Sequence, residues 1–225
     1  MKIQFSHNFG HQEQGECFHF GCSLVDVNPE EYDAALGMGF LLTVNQGQAR
    51  WYQSRSCRVR TNSTDYQLIE SAKLMIKPLP LAEMDHIYTA YCYYKKFKKY
   101  FEVGEHLPLD QFMAYYNNNN EMVAWAKLRH YTLHAIETAL FVWDYSEPAS
   151  RLGSSSLEHE IAWSKQTGYE FVYLGPGYER SSLYKADIQG FEWWDGVEWT
   201  ADIDRYRWLC RRDSKIKLPA DLYGV

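Results

Sequence analysis

The stretch from Arg151 to Trp199 carries the densest set of groups suited to handling an activated carbonyl. Leu152-Gly153-Ser154-Ser155 opens an amphipathic run. At such a helix start, amide groups and the positive end of the helix dipole favour an anion or a polarised carbonyl oxygen. Glycine permits close approach, so Gly153, Ser154 and Ser155 are assigned to holding a donor group. The alternative reading of these residues is an ordinary serine-rich helix cap. Tyr173, Tyr184 and Lys185 follow, with flat rings, polar tips and an amine that suit positioning of the donor or of an acceptor. A tyrosine on a central strand reads equally as a satisfied core residue. For proton transfer the candidates are Asp144 at a strand end, Glu137 within that strand, and His159, whose ordinary pKa suits neutral conditions. As a lone helix histidine, His159 also reads as a surface residue.

Further on, Trp193 and Trp194, with Trp199, Tyr206 and Trp208, sit among Arg205, Arg207, Arg211 and Arg212. Rings and cations together suit stacking on the unpaired end of an RNA, and Arg205, Arg207, Trp193 and Trp194 are assigned that role. The competing reading is a hydrophobic cap over a sheet. The lysine run Lys95, Lys96, Lys98 and Lys99 reads first as a solvated helix face. His7, His11, Cys17, His19 and Cys22 match no paired-ligand spacing, so no metal site is expected.

These residues need a folded frame. With 46% hydrophobic residues in 225, and eight Trp, eighteen Tyr and eleven Phe, the chain can bury a core and still line a broad groove. A formal charge of −6 argues against a protein that coats nucleic acid non-specifically. Five cysteines without a CxxC pair, and no apolar leader, lead to the expectation of a reduced, cytoplasmic protein. No run approaches the roughly 20 apolar residues of a membrane span, so no membrane partner is expected.

Cys17 to Val27 reads as a strand, Glu30 to Leu36 as a helix started by Asn28-Pro29, and Phe40 to Arg60 as two strands turning at Asn45-Gln46-Gly47. Leu68 to Lys77 reads as a strand, and a helix runs from Leu81 to about Phe101. A second helix is expected after Pro108, with Asp110 in its first turn, ending in the turn Asn117 to Asn120. Val123 to Arg129 and Tyr131 to Trp143 read as strands, with a break at Ser146 to Ser150. A helix from Ser155 to Thr167 has Leu157, Ile161 and Ala162 on its apolar face, and a strand covers Phe171 to Leu174. Short strands and turns complete the chain.

Three segments, in order over about residues 20 to 200, resemble the arginyl- and leucyl-tRNA-protein transferases. Pro29-Glu-Glu-Tyr-Asp-Ala-Ala-Leu36 with Gly39-Phe40 is similar to that family's helix and turn, and Trp51-Tyr52 to its next aromatic strand. Phe141-Val-Trp-Asp144 resembles the aromatic strand of the family. Leu152-Gly153, Glu160-Ile161, Tyr173-Leu174-Gly175 and Tyr184-Lys185 resemble its helix start, its next strand and its last element. The resemblance implies an α/β (α+β) fold, a GNAT-like mixed sheet flanked by helices with a smaller N-terminal α/β part. It divides the chain into an N-terminal subdomain over 1–80 and a catalytic domain over 81–225. It implies an aminoacyltransferase that moves arginine or leucine from charged tRNA to an amino group of a protein, peptide or small amine.

Cys57 stands alone in the region after Trp51-Tyr52 where relatives carry several cysteines, so no iron-sulfur cluster and no other cofactor is expected. Ser54 and Ser182 depart from the family's proline and methionine, which leaves the transferred amino acid and the acceptor open. The frame Ser150-Arg-Leu-Gly153-Ser-Ser155 keeps the central glycine of an acetyl-CoA loop and lacks its basic first residue. A CoA-dependent N-acetyltransferase is therefore the second reading, and an inactive relative serving as a binding module the third.

Overall fold

The computed structural model describes residues 1–8, 19–45, 48–75, 77–96, 102–104, 106–145, 152–178, 180–218 and 220–221, with backbone alone at 5–8, 19–21, 44–45 and 48–49. The chain divides into two compact units: Met1–Arg60 with Tyr173–Val225, and Thr61–Val172. The boundary expected at residue 80 falls inside the second unit.

In the first unit, β1 (Lys2–Asn8), β2 (His19–Val25), β3 (Phe40–Asn45) and β4 (Gln48–Gln53) form a sheet in the order β1-β2-β4-β3. All its neighbours run antiparallel. The chain between β2 and β3 forms a 3₁₀ turn, Pro29–Glu31, and the short helix α1 (Tyr32–Gly37). Its entry is fixed by the Asn28 N–H, which donates to Glu31 Oε2 at 3.0 Å. Gly39 then turns the chain into β3 with φ +77°, and a Cβ there would meet the Trp194 indole at 2.4 Å. Only glycine satisfies both constraints.

β5 (Ser56–Arg60) pairs antiparallel with β11 (Phe191–Trp194), and β11 with β12 (Trp199–Thr200). Arg58 and Glu192 lie directly opposite across this ladder, Arg58 Nε donating to the carboxylate at 2.7 Å. On the other side of β5 lies β10 (Phe171–Pro176), whose first two residues belong to the second unit. The helix α4 (Ile203–Asp213), not expected from the sequence, is capped by Asp202 Oδ1, which accepts the Arg205 N–H at 3.0 Å. It buries Tyr206 and Cys210.

The second unit is an antiparallel meander, β6 (Ala72–Leu74), β7 (Asp110–Tyr116), β8 (Met122–His130) and β9 (Ala135–Trp143), each paired with the next. The helix expected after Pro108 is instead β7, a correction with a clear cause. Asn117 Oδ1 accepts the N–H groups of Asn119 and Glu121, so the asparagine tract closes a β7–β8 hairpin and the residues before it must be extended. Likewise Phe40 to Arg60 makes three strands where two are expected, because Ser54-Arg55 breaks the run a second time. The break at Ser146 to Ser150 and the end of the helix expected to reach Phe101 lie outside the described residues.

On one face of the meander, helix α2 (Leu81–Lys95) packs Met84, Ile87, Tyr88 and Cys92 onto Phe112, Ala114, Trp125 and Val142. The Trp125 indole N–H donates to Met84 O at 3.0 Å, so even its polar atom is satisfied in the core. Helix α3 (Leu152–Gln166) packs on β9 from the other face, where Tyr115 points by strand alternation. A mixed α/β fold of sheet flanked by helices, the expected class, is thus what the chain adopts. Among the described residues no helix is long and apolar enough to cross a membrane.

Candidate functional site

β9 carries the meander to the face on which α3 packs. Its register with β8 shifts between Lys127 and Leu128, so that Ala139 has no counterpart across the ladder. Such a bulge bends its strand and re-aims the residues beyond it. Those residues are Phe141, Val142 and Trp143, and then Asp144, whose N–H donates to Val123 O at 2.8 Å.

Helix α3 starts at Leu152, with Gly153 and Ser154 exposed and Ser155 half-buried. Among the described residues, beyond its chain neighbours and its own helix backbone, no atom lies within 4 Å of where a Gly153 Cβ would stand, so the helix start is open to them on that side. One turn further the helix goes inward. Ser156, His159, Glu160 and Ser164 follow the i, i+3, i+4, i+8 spacing of a single face, and every one is buried. The reading of His159 as a surface residue is corrected: His159 Nδ1 accepts the backbone N–H of Ile69 at 2.8 Å, which holds the ring inside. That acceptor role places the ring proton on Nε2, and burial lowers the imidazole pKa, so the ring is neutral.

Glu160 has its Oε1 2.9 Å from the Tyr115 hydroxyl, which donates to it. Burial pushes the Glu160 carboxyl up to about 8 and raises the Tyr115 phenol as well. The carboxyl is therefore largely protonated at neutral pH. Ser164 Oγ donates to Glu160 O at 2.6 Å, whereas Ser156 Oγ is buried with no hydrogen-bond partner among the described residues. Neither Tyr115, Ser156 nor Glu160 was assigned a role from the sequence. The signal that links Ser156 and Glu160 is their i, i+4 spacing, which puts both on one side of α3; Tyr115 carries none.

The other proton acceptor in β9, Glu137, sits on the far face in a buried charge network. Its Oε2 accepts from Tyr131 Oη at 2.5 Å and lies 3.5 Å from Arg129 Nη1, while Arg129 Nε donates to Asp110 Oδ1 at 2.9 Å. Burial raises the Glu137 carboxyl, opposed by the Arg129 charge. Asp144 is the one of the three expected acceptors that stays half-buried at a strand end.

In the first unit, Lys185 is buried, its Nζ donating to Leu174 O at 2.7 Å and Pro176 O at 2.6 Å. It thereby ties the 3₁₀ run Arg180–Asp187 to the end of β10. Tyr173 is buried with its ring edge-on to Trp199, and Tyr184 is exposed. Arg205 pairs with Asp195 at 3.5 Å, and Arg207 with Asp187 at 2.5 Å. Trp193 and Trp194 are 1% and 8% exposed, which leaves no ring face on which a base can stack. Their packing follows the competing reading, a cap of aromatic side chains against Tyr206 and Trp199.

Among the described residues no three His, Cys, Asp or Glu side chains are grouped to hold a metal ion. The side chains of His7, His11, Cys17 and His19 lie outside the described residues. Cys57 and Cys210 are buried beside the Tyr206 hydroxyl in the first unit.

No protein-family model and no curated protein matches the chain. Solved structures with partial likeness include L-PGS from Bacillus licheniformis, 13% identical with a TM-score of 0.43 over 66% of this chain and 52% of that one. Saccharomyces cerevisiae N-myristoyltransferase with bound myristoyl-CoA is 8% identical, with a TM-score of 0.45 over 61% of this chain and 45% of that one. A putative acetyltransferase from the GNAT family of Novosphingobium aromaticivorans is 14% identical, with a TM-score of 0.44 over 79% and 70%. The chain spans about half the length of the first two.

Proposed function

We propose that the protein is a GNAT-like acyltransferase that moves an aminoacyl group, arginine or leucine, from the ester of a charged tRNA to an amino group of a protein, peptide or small amine. The observation that carries this reading is the start of α3, where exposed Gly153 opens a helix whose next turn is buried and polar. An aminoacyl ester is already activated, so the chemistry needs alignment, an uncharged amine and a steadied oxyanion, with no covalent nucleophile. The amine nitrogen attacks the carbonyl carbon, the ester C–O bond breaks, and the ribose oxygen leaves with a proton. The positive end of the α3 dipole near Gly153, Ser154 and Ser155 supports the developing oxyanion. Asp144 accepts the proton of the attacking amine. His159 and Glu160 act beneath the helix start as positioning residues, since neither reaches solvent. Glu137 is a base in this reading only at the cost of its Arg129 pair, so its role is to hold β9 in place. Lys185, committed to two carbonyls, holds the end of β10.

The test is transfer of a labelled amino acid from charged tRNA to a peptide panel, with and without RNase. Transfer that RNase abolishes is expected. Gly153→Trp should cut it about a hundredfold with the fold unchanged, because the new side chain projects into open space at the donor position. Asp144→Asn should lose about a hundredfold or more. Normal turnover in Gly153→Trp would remove the helix start from the site. Acetyl transfer from acetyl-CoA without RNA would replace this reading by an N-acetyltransferase, and partner binding with neither activity by a binding module.

A further inference from the structure

The lysine end of α2 carries more than a solvated face. Tyr93 and Tyr94 are 81% and 53% exposed. Tyr94 stacks on Tyr145 at 5.7 Å between ring centroids and 30° between planes, and Tyr145 lies 4.2 Å from Trp143 at the end of β9. Tyr91 meets the same Tyr145 ring at 5.9 Å, Tyr93 meets Tyr94 edge-on at 5.9 Å, and Lys95 Nζ stands 5.5 Å from the Tyr145 centroid. A row of rings thus runs from half-buried Trp143 and Tyr145 to exposed Tyr94 and Tyr93 on the second unit, with a cation beside it. Lys96, also exposed, ends the helix in the left-handed conformation.

Adjacent exposed aromatics of this size are uncommon on a surface that meets only water. Their chemistry selects among partners. Tyrosine and tryptophan faces stack on bases of any identity, and lysines beside them meet the phosphates that connect those bases. Protein interfaces also use tyrosine and tryptophan, so it is the Lys95 ammonium beside the rings that favours an anionic chain of bases over an apolar protein surface. We propose that the surface formed by Tyr91, Tyr93, Tyr94, Lys95, Trp143 and Tyr145 binds single-stranded RNA by base stacking, with the unpaired 3′ end of a tRNA as its occupant. That occupant rests on the tRNA-dependent reading above; the single-strand specificity does not. The buried Trp193 and Trp194 are replaced in this role by rings that solvent reaches.

The experiment measures fluorescence anisotropy of a labelled single-stranded hexaribonucleotide ending in CCA, against the same sequence in a duplex. The proteins are wild type, Tyr94→Ala/Tyr145→Ala and Lys95→Glu, each with its thermal melt. Wild type should prefer the single strand, and the double variant should weaken it about tenfold or more. Lys95→Glu, on an exposed side chain, should weaken binding several-fold with its melt unchanged. Equal binding of duplex and single strand, or wild-type affinity in both variants, overturns the proposal, as does binding of peptides or lipid vesicles in place of RNA. Oligonucleotide binding that the variants lose, without aminoacyl transfer, leaves this surface standing while the proposed activity falls. Transfer that the variants do not affect, together with unchanged oligonucleotide binding, removes the surface and leaves the activity.

Discussion

A carboxyl group that releases its proton near pH 8 makes stability depend on pH in a direction opposite to that of most acids. Glu160 is 1% exposed, and burial raises its pKa to about 8 from the ordinary 4.5. Below about pH 4.5 the group is protonated in both folded and unfolded chains and has no effect on the slope. Between about 4.5 and 8 the unfolded chain has lost the proton that the folded chain keeps, so stability falls as pH rises, by at most ~1.4 kcal/mol per unit. Replacing Glu160 with Gln keeps an acceptor for the Tyr115 hydroxyl and removes the proton. The variant should show a flatter dependence of Tm on pH between 5 and 8, and it should be the more stable protein at pH 8. An unchanged slope would mean that Glu160 ionises normally. Tyr115 donates to the carboxyl and so favours its charged form, which limits how far burial can push it.

At the scale of elements, one glycine shows how a turn is tied to a sheet. Gly39 has φ +77°, and a methyl group there would overlap the Trp194 indole in the first unit. Gly39→Ala should lower stability by roughly 2–5 kcal/mol, the sum of left-handed strain and overpacking, and a denaturant melt would read it. A loss below about 0.5 kcal/mol would show that the indole moves aside freely. This turn was legible in the sequence, because Gly39-Phe40 follows a helix that Asn28-Pro29 starts. So was α3, from its glycine-serine opening. Its inward face was not: amphipathic reading sends Glu and His to solvent, whereas Tyr115 and the Ile69 amide give Glu160 and His159 hydrogen bonds inside. Both partners are distant in sequence, and Tyr115 lies in β7, which was itself read as a helix. The aromatic row failed to show for the same reason. Trp143 and Tyr145 are i, i+2 neighbours, but Tyr94 is about fifty residues away, and only the packing of α2 beside β9 brings it there.

For the molecule as a whole, charge decides how an RNA surface must behave. With 29 acidic residues against 23 basic ones, the protein as a whole repels a polyanion, and attraction has to be local. Binding through the tyrosine row would then use few phosphate contacts and draw most of its free energy from stacking. Each neutralised phosphate on a single strand contributes about −0.7 to the slope of log K against log salt. With Lys95 and Lys96 alone the slope is about −1.4, so raising salt from 50 to 200 mM should weaken the complex about sevenfold. Lys95→Glu should make the slope shallower by about 0.7. Tyr94→Ala should leave it where it is while lowering affinity at every salt concentration, since stacking releases no counterions. A slope steeper than about −2 would require more phosphate contacts than these two lysines supply, and would place the RNA elsewhere on the protein.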